Sequence, residues 1–140
     1  MFVVTNEGVV VFDGDIRTAD QVFAAIRRTT DKKIRYHLLS HPAGDHATGG
    51  WHFREDKPTI IASRRQAQSL AAEELEEFTT RKRSNDPAYA PYRNSELVMP
   101  DTVTELLIPK AAGLPVIVVF VESNGVADSD DVGPQLPVQV

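Results

Sequence analysis

The chain alternates short β-branched runs with segments of helical period, and that alternation restricts it to a small set of folds. Residues 2–5 and 9–12 are β-branched and aromatic, and Asn6-Glu7-Gly8 between them is a turn composition suited to a β-hairpin. Asp13-Gly14 closes the second strand. Thr18 and Gln21 stand at capping-box spacing, and Val22, Phe23 and Ile26 form an apolar stripe, which predicts a helix over residues 19–29. Residues 34–39 read as a strand ending at Ser40-His41. Residues 59–62 read as another, followed by Ser63 and Gln66 at capping-box spacing and a long helix to about Arg81. The order β-β-α-β-loop-β-α points to an α/β layer in which helices cover a sheet and binding residues gather on loops at strand ends.

Beyond that helix the pattern weakens. Residues 84–101 are polar and punctuated by Pro87, Pro91 and Pro100, with Tyr89 and Tyr92 between them, which suggests an extended surface segment. Residues 103–108 and 116–121 each suit a strand. Residues 123–140 hold Asp128, Asp130 and Asp131, two glycines and two prolines without apolar periodicity, the composition of a disordered tail. This gives one domain over residues 1–122 and a tail over 123–140. There is no internal repeat.

At 140 residues one domain can hide roughly two-thirds of its unfolded surface. The absence of cysteine excludes disulfides, thiolate metal sites and a cysteine nucleophile, so any metal must be held by His, Asp or Glu. Fifteen basic against twenty acidic residues give a net charge of -5, which opposes binding to nucleic acid. The longest apolar run, residues 114–121, is far below the ~20 residues that span a bilayer. No basic leader opens the chain, so no membrane partner and a cytoplasmic setting are expected.

The concentrated chemistry lies in His41-Pro42-Ala43-Gly44-Asp45-His46. Divalent ions such as zinc take imidazole nitrogen and carboxylate oxygen at about 2 Å, so ligands must converge from a tight, rigid turn. Three such residues fall within this run. Thr48-Gly49-Gly50 follows, with glycines that permit a sharp turn or close packing where a Cβ would clash.

With a strand leading into that run, the chain resembles the metallo-β-lactamase superfamily, whose hallmark is His-x-His-x-Asp-His, often followed by Gly-Gly. The opening hairpin ending in Val11-Phe12-Asp13-Gly14, the intervening helix and the following strand and helix extend the resemblance over residues 2–100. It implies an αββα sandwich, present here in part. It also implies one or two metal ions, usually zinc, that activate water to hydrolyse an ester, thioester or amide of a small-molecule substrate. Carried over, His41 is a ligand of the first metal, Asp45 and His46 are ligands of the second, Asp45 is the catalytic residue that orients or deprotonates water, and Asp13 is a buried brace.

Two departures stand out. The middle histidine of the motif falls on Ala43, whose methyl group has no lone pair, and no histidine follows His52, although the family draws further ligands from its later half. The resemblance fades past Asp101, as a fragment or frame-shifted product would show. Zinc is the expected metal, with another divalent ion or none as alternatives. Two functions follow: a metal-dependent hydrolase, or an inactive, incomplete family member kept as a fold or binding unit, whose open sheet edge favours self-association.

Blander roles fit the remaining features. His37 and His52 suit packed or hydrogen-bonded core positions, and Asp13-Gly14 favours a turn in any fold. The run 73–77 suits a solvated helix face beside Leu75 and Phe78, and Arg81-Lys82-Arg83 suits charges meeting a helix C-terminus.

Overall fold

A computed structural model of the protein describes residues 1–104. The chain opens with β1 (Phe2–Val4) and β2 (Val9–Phe12), the antiparallel hairpin expected from Asn6-Glu7-Gly8. Helix α1 (Ala19–Thr29) leads to β3 (Ile34–Leu38), and the short helices α2 (Gly44–Ala47) and α3 (Gly50–Phe53) lead to β4 (Thr59–Ser63). From there the chain runs through α4 (Arg64–Ser69), a π-helical turn (Leu70–Glu74) and α5 (Leu75–Arg83). A 3-10 turn (Pro87–Tyr92) then leads to β5 (Thr102–Thr104).

The five strands form one mixed sheet in the order β1-β2-β3-β4-β5, with every pair after the first parallel. Each crossover therefore steps to the adjacent strand in the same direction. Parallel crossovers are almost always right-handed, so successive steps in one direction lay their helices on one face of the sheet. The packing agrees. Ala19 and Ile26 of α1 bury against Val9, Val11 and Ile34, while Leu70 buries against Ile60 and Ala62 of β4 together with Leu39 and Ala47. A third cluster joins Ile16, Phe78 and Tyr92, which ties the far end of α5 to the segment after β2.

The two expected capping boxes differ. At α4 the Ser63 hydroxyl accepts from Gln66 N at 3.2 Å and the Gln66 side chain accepts from Ser63 N at 2.8 Å. At α1 the Thr18 side chain makes no capping bond; instead the Asp15 carbonyl accepts from Thr18 N and Ala19 N. Asp15 turns the chain into the helix, and the Gln21 N–H that the hydroxyl would have capped donates to the Thr18 carbonyl at 3.0 Å.

The long helix also departs from expectation. A π-helical turn at Leu70–Glu74 widens the helix between α4 and α5. Glu74 is buried, so the acidic run is not a uniformly solvated face; Leu75 is exposed and Phe78 is buried. Residues 84–101 keep to the surface for most of their length, as expected, but they are not extended throughout. They carry the 3-10 turn, which includes Pro87 and Pro91, bury Tyr92 and Ser95, and pack Leu97 and Val98 against the core. Of the expected strand at 103–108, only residues up to 104 are described, within β5; the rest of it, the strand at 116–121 and the tail at 123–140 lie outside the described residues. No helix among the described residues is long and apolar enough to cross a membrane.

Candidate functional site

β2 and β3 run parallel and end side by side, so Asp13 and the segment 40–46 meet at the carboxyl edge of the sheet. Asp13 takes a left-handed backbone conformation, with φ of 54°. This short polar residue tolerates that region better than most. Its carboxylate accepts three bonds: from Ser40 N at 2.7 Å, from the Ser40 hydroxyl at 2.6 Å, and from His46 Nδ1 at 3.1 Å. The side chain of Gln66 donates to the Ser40 carbonyl, which fastens the start of α4 to the same corner.

Behind the corner two backbone segments cross. Gly14 N donates to the His46 carbonyl at 2.7 Å, and Gly49 N donates to the Gly14 carbonyl at 2.6 Å. A Cβ placed on Gly49 would lie 2.6 Å from the Gly14 carbonyl carbon, so glycine serves a close backbone approach here. The buried Thr48 hydroxyl donates to the Gly44 carbonyl and accepts from Ile16 N at 2.9 Å. The second half of the histidine-rich run is thus the helix α2, held on its buried side.

The three expected ligands are adjacent but differently prepared. His46 gives Nδ1 to a carboxylate, which can only accept, so that nitrogen bears the proton, and in the neutral ring Nε2 keeps its lone pair. That Nε2 lies 3.6 Å from Asp45 Oδ2. A carboxylate behind the far nitrogen is the arrangement that orients a histidine for metal binding. His41 is the reverse. Its Nδ1 accepts from Ala43 N at 3.1 Å, which in the neutral ring leaves the proton on Nε2. The two rings are 5.3 Å apart, and Asp45 is exposed.

Among the described residues, no group of three or more His, Cys, Asp or Glu side chains is placed to hold a metal ion. A catalytic zinc needs three protein ligands and one open position. As the side chains stand, only His46 is oriented as a ligand, so the described donor set does not fit a catalytic ion.

Beside the loop lies an open cleft of about 480 Å³, lined by His41, Asp45, Arg17, Glu73, Arg81 and Tyr92 among others. Its wall is a charge relay rather than a row of solvated acids. Arg81 donates to Glu74 Oε1 at 2.8 Å and to Glu77, and Gly44 packs directly on the Arg81–Glu74 pair. Burial pushes the Glu74 carboxyl up, against the pull of Arg81. Lys82 also turns inward, donating to the Ser95 carbonyl at 2.7 Å, so Arg81 and Lys82 bind specific partners rather than the helix terminus alone.

The other two histidines fill core-like roles. His52 Nε2 sits 3.0 Å from the Ile16 carbonyl. His37 is fully buried within β3, edge-on to Phe53 with ring centroids 5.1 Å apart, and neither ring nitrogen has a hydrogen-bond partner among the described residues. Burial holds its pKa down at about 4, from an ordinary 6.5.

Sequence reasoning singled out Asp13, His41, Asp45 and His46, which the structure brings to one corner, and gave no role to the Ser40 and Thr48 hydroxyls or to the Glu74–Arg81 pair. Only the last carries a signal, a spacing of seven residues that brings two side chains to one helix face across two turns. No protein-family model matches the chain, and no curated protein matches it.

Proposed function

We propose that the protein derives from a metal-dependent hydrolase of the metallo-β-lactamase kind and keeps the scaffold of the metal loop without a full ligand set, acting as a binding unit in the cytoplasm. The partial αββα reading belongs to this proposal. It is supported most directly by the opposite preparation of the two loop histidines: His46 is braced by Asp13 through Nδ1, with Nε2 turned toward Asp45, whereas His41 spends Nδ1 on Ala43 N where the family pattern would place another histidine. The mixed sheet, with the loop at its carboxyl edge, is compatible with that ancestry.

Zinc titration of protein purified without chelator tests the reading. Wild type should bind zinc weakly, His46→Ala should abolish what binding there is, and His41→Ala should change it little. Ala43→His should raise affinity at least ~10-fold, since even lost supporting interactions cost about 10 to 100-fold. No gain on Ala43→His would mean that the loop is not an inherited metal site.

A second reading, a working metal-dependent hydrolase of a small ester, thioester or amide, is favoured by the cleft that opens on His41 and Asp45. Near-stoichiometric zinc together with hydrolysis of a generic ester, lost on Asp45→Ala, would establish it over the first.

A further inference from the structure

The amino edge of the sheet carries an opening of its own, away from the histidine-rich run. Where β4 and β5 begin, the described residues enclose an open cleft of about 560 Å³, whose wall includes Gly50, Arg54, Lys57, Val98 and Asp101. A 3-10 turn, Arg54–Asp56, forms one side of it, and Lys57 N closes that turn on the Arg54 carbonyl at 3.1 Å. Two cations therefore stand at the two ends of one turn. The Asp56 carboxylate between them is engaged elsewhere, by Arg27 and by Ile34 N at 2.7 Å, and Asp101 turns Oδ2 to Ile60 N at 2.8 Å. The cleft wall thus sets two cations against one carboxylate, in a chain whose net charge is -5.

Neither cation is placed as a loose surface charge would be. The Arg54 guanidinium lies over the Trp51 ring, 4.0 Å from its centroid, and Nη1 donates to the Trp51 carbonyl at 2.6 Å. Held from two sides, it loses little freedom on meeting an anion, and most of its N–H donors remain open. Lys57 has no partner among the described residues. It adopts φ 53° and ψ 52°, a left-handed conformation that strains an L side chain and that glycine takes freely. A lysine at a position that favours glycine points to a use for its ammonium.

The inner wall brings a third group close. A Cβ on Gly50 would lie 3.4 Å from Val98 Cβ and 3.5 Å from His37 Nδ1. Behind these two wall residues, about a methyl group's width from Gly50, stands the fully buried imidazole whose nitrogens have no partner among the described residues. We propose that this cleft is a binding site for a small phosphate-bearing ligand, held by Arg54 and Lys57. The planar fork of arginine and the point charge of lysine both suit phosphate oxygens. A phosphate group carries close to two negative charges at neutral pH and can engage both cations, whereas a carboxylate carries one. The site lies at the opposite edge of the sheet from the Asp13 corner, so it is independent of the metal-loop reading.

Trp51 is the chain's one tryptophan, so its fluorescence reports on Arg54. Inorganic phosphate titrated into the full chain at constant ionic strength should change that emission with half-saturation near ~1 mM, the range that two charge-assisted hydrogen bonds reach. It should also shift the side-chain nitrogen resonances of His37 and leave those of His41 and His46 unmoved. Lys57→Gly removes the ammonium and relieves the backbone, so the variant should melt no lower than wild type yet lose about tenfold or more in phosphate affinity. If it does melt lower, Lys57→Gln carries the same comparison. Lys33→Gln, which removes an exposed lysine elsewhere, should leave the affinity unchanged. The proposal is overturned by the absence of a saturable response at ~20 mM, by equal affinity for acetate, or by shifts confined to His41 and His46. An equal loss in the Lys33 and Lys57 variants would mean an adventitious ion only and would overturn it as well.

Discussion

Strand β3 carries one histidine inside it and leads into another just past its end, and the two regions around them are built on opposite terms. At the strand's end the polar groups are paired: Asp13 holds Ser40 and His46, Thr48 ties Gly44 to Ile16, and Gly14 and Gly49 bond backbone to backbone. Within the strand His37 lies among Phe53, Gly50 and Val98, and neither ring nitrogen has a partner among the described residues. A buried polar group without a partner costs stability, whereas a paired one at a loop contributes order and aims a side chain. The end of the strand is therefore held in order, and the buried histidine within it is a point of weakness that depends on pH.

The largest effect should come from Gly49→Ala at the crossing. The added Cβ meets backbone rather than a yielding side chain, and a loss of about 3 kcal/mol is expected in urea unfolding. A loss below ~0.5 kcal/mol would show that the corner is looser than its geometry.

A similar magnitude attaches to His37, but only in acid. Its folded pKa of about 4 lies below the unfolded 6.5, so the unfolded chain takes up the proton first as pH falls. Stability contributed by the neutral ring is complete above about pH 6.5 and is lost progressively down to pH 4, by at most about 3 kcal/mol. His37→Gln should flatten that part of the profile. An unchanged slope would mean that another group governs acid lability.

Thr48→Val is next, at about 2 kcal/mol, because it leaves the buried Ile16 N–H without its acceptor. Asp13→Asn should cost least, about 1 kcal/mol, since asparagine tolerates the same backbone conformation and keeps one acceptor oxygen. Its informative readout is nitrogen NMR of His46. The proton should leave its fixed place on Nδ1 and spread between both nitrogens; an unchanged tautomer would show that Asp13 does not orient the ring.

Much of the frame could be read along the chain, since local patterns made it. The turn Asn6-Glu7-Gly8, the stripe Val22, Phe23 and Ile26, and the reciprocal pairing of Ser63 with Gln66 each depend on residues a few positions apart. The placement of Asp13 and the histidine-rich run at strand ends followed from the same patterns. The Thr18 hydroxyl did not cap its helix because the Gln21 N–H, its expected partner, donates to the Thr18 backbone carbonyl instead.

The sequence by itself determined an α/β chain with a cysteine-free, histidine-rich loop after its third strand, because hydrophobic period and turn chemistry act over short spans. Only the tertiary structure decided that His46 turns Nδ1 to Asp13, that Glu74 turns inward to Arg81 across a π-helical turn, and that His37 is buried without a partner among the described residues. Those outcomes depend on contacts between residues 7 to 33 positions apart, such as Arg81 with Glu74 and His46 with Asp13. No local pattern encodes such distances, because they are set by how sheet and helices pack.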